Sequence, residues 1–235
     1  MRLKDNLIIY EYKEYYILFH NMQIISLGSS CDTTSNLKRI GINVPTLFFD
    51  YIWNEYDGLR NVIQIIQDKF IYFNDIMNYE KTTTHPVLTW DSFNINKYYP
   101  TFVFMHHDTE KQHIIDSLNR KIDRTMNALS SNEMKVFIYY RHCDTCVDII
   151  KESIDFCEMY RSLYNDNFYL LSLITYDTTT NINIINRDLE TLRMNNNKYL
   201  QFDFVYRRND TNDELNNIAV CSWNNIFKKY NLNIT

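Results

Sequence analysis

Cys31 closes the run Gly28-Ser29-Ser30-Cys31-Asp32, which follows an apolar stretch and precedes a helical pattern. A cysteine on a tight turn at a helix N-terminus faces oriented backbone N–H groups and the positive end of the macrodipole. Both favour the thiolate and lower the thiol pKa. With an imidazole in reach, such a thiolate suffices for nucleophilic catalysis. Ser29 and Ser30 sit on the same turn, as alternative nucleophiles or as groups that contact substrate. The plainer reading of Cys31 is a small buried filler.

The partners that this chemistry needs lie further along the chain. His107, in His106-His107-Asp108, is the candidate base, and Asp108 is a neighbouring carboxylate. Asp50 stands in the aromatic run Phe48-Phe49-Asp50-Tyr51-Ile52-Trp53, either as a turn acid in the core or as a carboxylate beside the active edge that orients an imidazole or binds a substrate hydroxyl. Arg141 and Arg207, the latter followed by Arg208, are candidates for contacting an anionic substrate group or developing negative charge. Cys143-x-x-Cys146, preceded by His142, has no second ligand pair to complete the four ligands of a structural zinc site, so no metal is expected. Asp144 and Thr145 read instead as capping residues for the next helix. Cys157 and Cys221 fall on apolar helical faces and are expected in the core. No cofactor is expected.

These groups must be positioned by regular elements. Apolar runs rich in β-branched and aromatic residues predict strands at 23–27, 101–105, 135–140, 168–175 and 202–206. Apolar residues at helical spacing predict helices at 34–40, 56–70, 111–129, 146–164 and 212–230. In the third of these the stripe is Ile114, Ile115, Leu118, Ile122, Met126 and Leu129. Alternation of strand and helix at these lengths predicts βαβ crossovers: a three-layer α/β/α fold with a mostly parallel, Rossmann-like or SGNH-like sheet. Strand 23–27 is expected to be central in it, with at least four parallel strands. Ligands of such sheets bind outside the carboxyl ends of the strands. That edge is where Cys31, His107, Arg141 and Arg207 would collect. Residues 1–22 read as an N-terminal extension or edge hairpin, with Met22 as an alternative start, and 23–235 as one α/β domain. The Asn-rich stretches 177–186 and 194–198 read as loops.

Composition narrows the setting. A net charge of −5 argues against a general nucleic-acid-binding surface. No apolar run reaches the roughly 18–20 residues of a membrane span. The N-terminus carries acids and Asn where a signal peptide would be apolar, and five cysteines in 235 residues do not suggest a disulfide scaffold. A cytoplasmic location is expected, in a host cytoplasm or a virion if the source is viral. Asn and Ile are abundant while Gly and Pro number three each, the signature of AT-rich codons. Against that background each glycine is expected to be structurally required.

Ser26-Leu27-Gly28-Ser29-Ser30-Cys31, Leu37-Lys38-Arg39-Ile40-Gly41, the Phe49-Asp50 pair, His107-Asp108 and the strand ending in Arg141 together resemble an uncharacterised family of bacteria and large DNA viruses, the putative papain-like cysteine peptidases. The resemblance covers roughly residues 23–227. It implies Cys31 as nucleophile, His107 as base, and Asp50 or Asp108 as the group orienting it. The strand–turn–helix opening also looks like the first block of SGNH-type esterases and acyltransferases, whose C-terminal Asp-x-x-His is absent here. Two classes of function follow. One is a cysteine-dependent hydrolase, or an acyl- or glycosyl-transfer enzyme, acting on a small molecule, a glycan or a peptide. The other is a non-catalytic protein whose arginines hold an anionic or sugar ligand at the same edge.

Overall fold

The computed structural model describes residues 22–28, 32–50, 52–54, 58–83, 92–104, 107–141, 146–176, 188, 190–207 and 213–232, with the backbone alone at 146–148. In chain order its elements are β1 (Met22–Ser26), α1 (Asp32–Arg39), α2 (Leu59–Gln67), β2 (Tyr79–Thr82), β3 (Phe93–Asn96), β4 (Tyr99–Val103), α3 (Gln112–Ser130), β5 (Met134–Arg141), α4 (Cys146–Leu163), β6 (Phe168–Tyr176), β7 (Leu200–Tyr206) and α5 (Asp213–Lys229). The predicted segment 7–19 and the loop 177–186 lie outside the described residues.

Four strands form a parallel sheet in the order β1-β5-β6-β7. Side chains of successive strand residues point to opposite faces, and the core divides accordingly. Ile25, Phe137, Leu170 and Phe202 face one way, toward residues of α2, α3 and α4. Ile24, Val136, Leu171 and Val205 face the other, toward Leu37 of α1 and Trp223, Ile226 and Phe227 of α5. The predicted three-layer α/β/α architecture is the one observed; β5 and β6 are buried along nearly their whole length, and β1 is buried from Ile24 onward.

Two expectations about the sheet are corrected. The strand predicted at 101–105 is β4, and it belongs to a separate antiparallel sheet in the order β2-β3-β4. Only Lys97 and Tyr98 separate β3 from β4. Two residues make a hairpin, whereas a parallel neighbour requires a crossover of a dozen or more. With β4 elsewhere, β1 pairs with β5 alone among the described strands and lies at the sheet's edge rather than its centre. Phe102 and the adjoining Phe104 still reach the main core, in an aromatic cluster with Phe48 and Phe73. Cys221 is a further correction: it lies on the exposed side of α5, while Trp223, Ile226 and Phe227 form the buried stripe. Cys157 is buried, as expected.

Candidate active site

The main-chain path at the end of β1 is fixed on both sides of Cys31. Leu27 N continues the β1–β5 ladder by donating to Ile138 O at 2.9 Å. Gly28 then turns with φ of 81°, a left-handed conformation that suits glycine. An added Cβ there would lie 3.1 Å from the carbonyl oxygen of Phe49, so the turn abuts the chain just before Asp50. Ser29, Ser30 and Cys31 lie outside the described residues, and the chain resumes at Asp32, the first residue of the eight-residue helix α1. Thr33 Oγ1 reaches back to Gly28 O at 3.5 Å. The described flanks thus have the predicted order of parallel strand, glycine turn and helix.

Asp50 anchors this turn from below. Its carboxylate accepts from Thr34 Oγ1 at 2.5 Å and from Leu47 N at 2.8 Å, and the residue is 2% exposed. Burial drives its pKa upward, against the lowering effect of those two hydrogen bonds and of the charges on Lys121 and Lys38. The same turn is held from α3, where Thr125 Oγ1 accepts from Phe48 N at 2.9 Å and donates to Lys121 O at 2.8 Å.

Lys121 extends the polar run to the candidate base. Its Nζ lies 3.3 Å from His107 Nε2, and the residue is only 8% exposed. Desolvation pulls the Lys121 pKa down, while Asp50 pushes it up and Arg124 adds to the lowering. His107 is therefore joined to the Asp50 region through α3, even though the strand before it is not in the parallel sheet. Asp108 faces another partner: its carboxylate pairs with Lys111 Nζ at 2.9 Å, which holds its pKa below the usual carboxylate value.

A second charged cluster stands at the end of β5. Arg141 NH1 lies 3.1 Å from Glu152 Oε2, which also accepts from Leu59 N at 3.2 Å, at the start of α2. Arg60 Nε lies 3.3 Å from Glu152 Oε1. Burial raises the Glu152 pKa, and the arginines and the Leu59 hydrogen bond oppose it. Gly58, with φ of 56°, is packed so tightly that an added Cβ would fall 2.4 Å from Glu152 Oε2 and 2.6 Å from the Tyr139 hydroxyl. Asn54 connects this cluster to the first. Its Nδ2 donates to Gly58 O at 3.4 Å and lies 3.7 Å from where a Gly28 Cβ would sit.

The predicted groups therefore separate. Asp50 and His107 are linked through Lys121, and Arg141 stands behind Gly58 in a buried ion pair. Arg207 donates its N–H to Tyr176 O at 2.7 Å at the end of β7, three strands from β1, or roughly 14 Å at the usual strand spacing. His106, His142, Cys143 and Arg208 lie outside the described residues, as does the side chain of Cys146. Among the described residues no group of three or more His, Cys, Asp or Glu could hold a metal ion. A surface hollow of about 350 Å³ beside Arg39, Asp213 and Asn216 involves none of these residues.

Sequence reasoning missed Thr34, Lys121 and Glu152. Lys121 had a readable signal. It is one of the buried residues of α3 along with Ile115, Leu118, Thr125 and Leu129, a lysine within the apolar stripe. Glu152, on α4, carried no such mark.

Residues 22–152 match the family described as "Putative papain-like cysteine peptidase". An uncharacterised protein of Acanthamoeba polyphaga mimivirus is 27% identical over 134 residues, a match covering 48% of this chain and 59% of the viral protein. The chain thus spans about three-fifths of that relative's length. No solved structure matches.

Proposed function

This chain belongs to the putative papain-like cysteine peptidase family, and from that premise we propose that it is a cysteine-dependent hydrolase with Cys31 as nucleophile and His107 as base. The observation that carries the proposal is the linked run at the end of β1. Thr34, in the first turn of α1, bonds Asp50, and Asp50 acts on Lys121, which meets His107 at 3.3 Å. Charged groups buried at this density need a reason beyond packing, because desolvating them is costly.

In the proposed reaction the Cys31 thiol proton passes to His107, and the sulfur attacks a carbonyl carbon to form a tetrahedral oxyanion. Collapse expels the leaving group, which takes the proton from His107, and water then releases the acyl group by the reverse sequence. Backbone N–H groups at the start of α1 would be the donors to the oxyanion. Ser29 and Ser30 would contact the substrate. Substrates with acyl groups, among them peptides, suit this chemistry, in a cytoplasmic or virion setting.

The rival reading gives the edge to ligand binding by arginine. Arg141 is less suited to that than its position suggests, since its guanidinium already faces the Glu152 carboxylate. Arg207 is exposed at the far end of the sheet and fits the rival better. A panel of fluorogenic esters and peptides, screened with wild type and Cys31→Ala, separates the two. Turnover lost in a folded Cys31→Ala variant supports the hydrolase. Turnover retained by that variant, or ligand binding abolished only by changes at Arg141 or Arg207, overturns it.

A further inference from the structure

Helices α1 and α5 are neighbours on one face of the parallel sheet, where Leu37 and Trp223 share an apolar cluster. The hollow of about 350 Å³ lies between them. Arg39 of α1 lines it together with Asp213, Asn216, Asn217 and Val220 of α5, and Arg39 NH1 donates to Asn216 Oδ1 at 3.4 Å. The volume is at the lower end of the range for small-molecule sites, about 300–1,000 Å³.

The helical repeat places one further polar side chain on each helix between this lining and the core. On α1 it is Asn36, one turn before Arg39, and on α5 it is Trp223, one turn after Val220. Asn36 is 1% exposed, and neither the oxygen nor the nitrogen of its carboxamide meets a hydrogen-bond partner among the described residues. Trp223 is wholly buried, and its indole N–H is likewise unmet. Burying a polar group unpaired is costly, and folded proteins rarely do so without a reason. Two such groups, one on each helix beside the same hollow, supply a reason if a bound molecule pairs with both.

We propose that the hollow between α1 and α5 binds a neutral, hydroxyl-rich ligand the size of one sugar unit. The rim carries one cation and one carboxylate, Arg39 and Asp213, so an anionic ligand attracted by the first is repelled by the second. The carboxamides of Asn36, Asn216 and Asn217 each offer donors and an acceptor, and the Trp223 indole offers a donor. A hydroxyl both donates and accepts, so a ring bearing several of them satisfies this mixed set. An apolar ligand would leave it unpaired. Val220 supplies an apolar contact for the C–H face of such a ring. A peptide is the weaker match, because peptides are commonly taken along a sheet edge or a long groove. The site uses neither Cys31 nor His107 and does not rest on the hydrolase reading.

The Trp223 indole N–H is the reporter. Its signal in 15N–1H spectra of the full chain is one of three from tryptophan and is assigned by its loss in Trp223→Phe. Should that variant not fold, the side-chain amide signal of Asn217, assigned through Asn217→Ala, reports in its place. The titrants are glucose, galactose, mannose, N-acetylglucosamine and rhamnose, each with its methyl glycoside, alongside N-acetylalaninamide and inorganic phosphate. At least one sugar should shift the reporter signal saturably. Asn217→Ala and Asp213→Asn, both at exposed positions, should each weaken that sugar's binding roughly 5-fold, the loss of one hydrogen bond. Asn36→Leu should weaken it too while leaving the thermal midpoint unchanged or higher, since an apolar side chain of similar shape replaces an unpaired amide. Tighter binding of the methyl glycoside assigns the ligand to a glycan chain, and tighter binding of the free sugar assigns it to a monosaccharide. The proposal is overturned if no sugar shifts the reporter, or if N-acetylalaninamide or phosphate does so instead. Sugar binding as tight in Asn217→Ala and Asp213→Asn as in wild type overturns it equally. So does an Asn36→Leu variant that loses stability and keeps its affinity, which would make Asn36 a packing residue.

Discussion

The hydroxyl of Thr34 donates to Oδ1 of Asp50 across 2.5 Å, and both residues are almost wholly buried. The contact joins the first turn of α1 to the 47–50 turn, sixteen residues away in sequence. Because α1 starts immediately after Cys31, this one bond helps fix where the helix, and with it the proposed nucleophile, enters the sheet edge. Asp50 is thus a structural anchor first. Its influence on chemistry passes through what it anchors and through the charge it places beside Lys121.

Removing the Thr34 hydroxyl tests the anchor. A hydrogen bond to a charged group contributes about 1.5–3 kcal/mol, so Thr34→Val should destabilise the protein by about 2 kcal/mol. Thr34→Ser keeps the oxygen and should cost less than half of that. Urea denaturation of the three proteins is the measurement. A cost for Val no larger than that for Ser, which keeps the hydroxyl and loses only the methyl, would show that the bond contributes little.

The pH dependence of Asp50 has a definite sign. Burial raises its folded-state pKa above the unfolded value of about 3.9. Between those two values the folded protein holds the proton and the unfolded chain has released it. The stabilisation associated with the protonated form is therefore fully present below about pH 4 and is lost as pH rises through the folded pKa. Asp50→Asn cannot titrate. Its stability relative to wild type should improve as pH rises from about 4, until the folded pKa is passed, and denaturation curves at intervals of half a pH unit will trace this. A difference independent of pH would show that Asp50 has the same pKa folded and unfolded.

Two glycines with positive φ should respond differently to alanine. Gly41, at φ of 83°, has nothing within 4 Å of an added Cβ. Gly41→Ala should cost only the conformational penalty of about 1–2 kcal/mol. At Gly58 the methyl would meet Glu152 Oε2 at 2.4 Å and Arg141 NH1 at 2.9 Å, so the ion pair must also move. Disrupting a buried pair costs about 3–5 kcal/mol, and Gly58→Ala should lower the thermal midpoint far more than Gly41→Ala. Similar midpoints would mean that the Glu152 cluster yields easily.

What the sequence made legible follows from what each pattern encodes. Hydrophobic period encodes element type and buried face, and it located β1, β5, β6 and β7 and the helices between and after them. It does not encode a strand's neighbour. The run at 101–105 reads like the parallel strands because Phe102 and Val103 are as buried as they are. The telling feature was the short Lys97-Tyr98 connection, which permits only a hairpin. In the site, Asp50 was noticeable as one acid among aromatics. Lys121 stood within the apolar stripe of α3, but a lone lysine in an amphipathic helix is ordinarily read as solvated, and that reading passed it over. The partners of Glu152 come from β5 and the start of α2, far away in sequence, and no local pattern could announce them.

Cysteine labelling ranks the nucleophile directly. Cys157 is buried with its Sγ 3.8 Å from Tyr199 O, and desolvation pushes its thiol up to about 12. At pH 7 its thiolate fraction is on the order of 10⁻⁵, so it should remain unlabelled until the protein unfolds. Cys221 is exposed on α5 and reports what access alone provides. Cys31 has the added influence of the α1 N-terminus, where thiol pKa values fall to roughly 3.5–7.5. A thiol near pKa 6 is mostly thiolate at pH 7, against a few per cent for an ordinary one. Part of that gain is returned because nucleophilicity falls with pKa. The net expectation is that Cys31 reacts with iodoacetamide at least ~3-fold faster than Cys221 at pH 7. Its rate should level off by about pH 8. Peptide mass spectrometry after timed quenching separates all five sites in one experiment, and Cys31→Ala should leave the other four rates as they were. Faster labelling of Cys143 or Cys146 would remove Cys31 from the role of nucleophile. A Cys31 that reacts as slowly as Cys157 would make it a packing residue beneath the turn it ends.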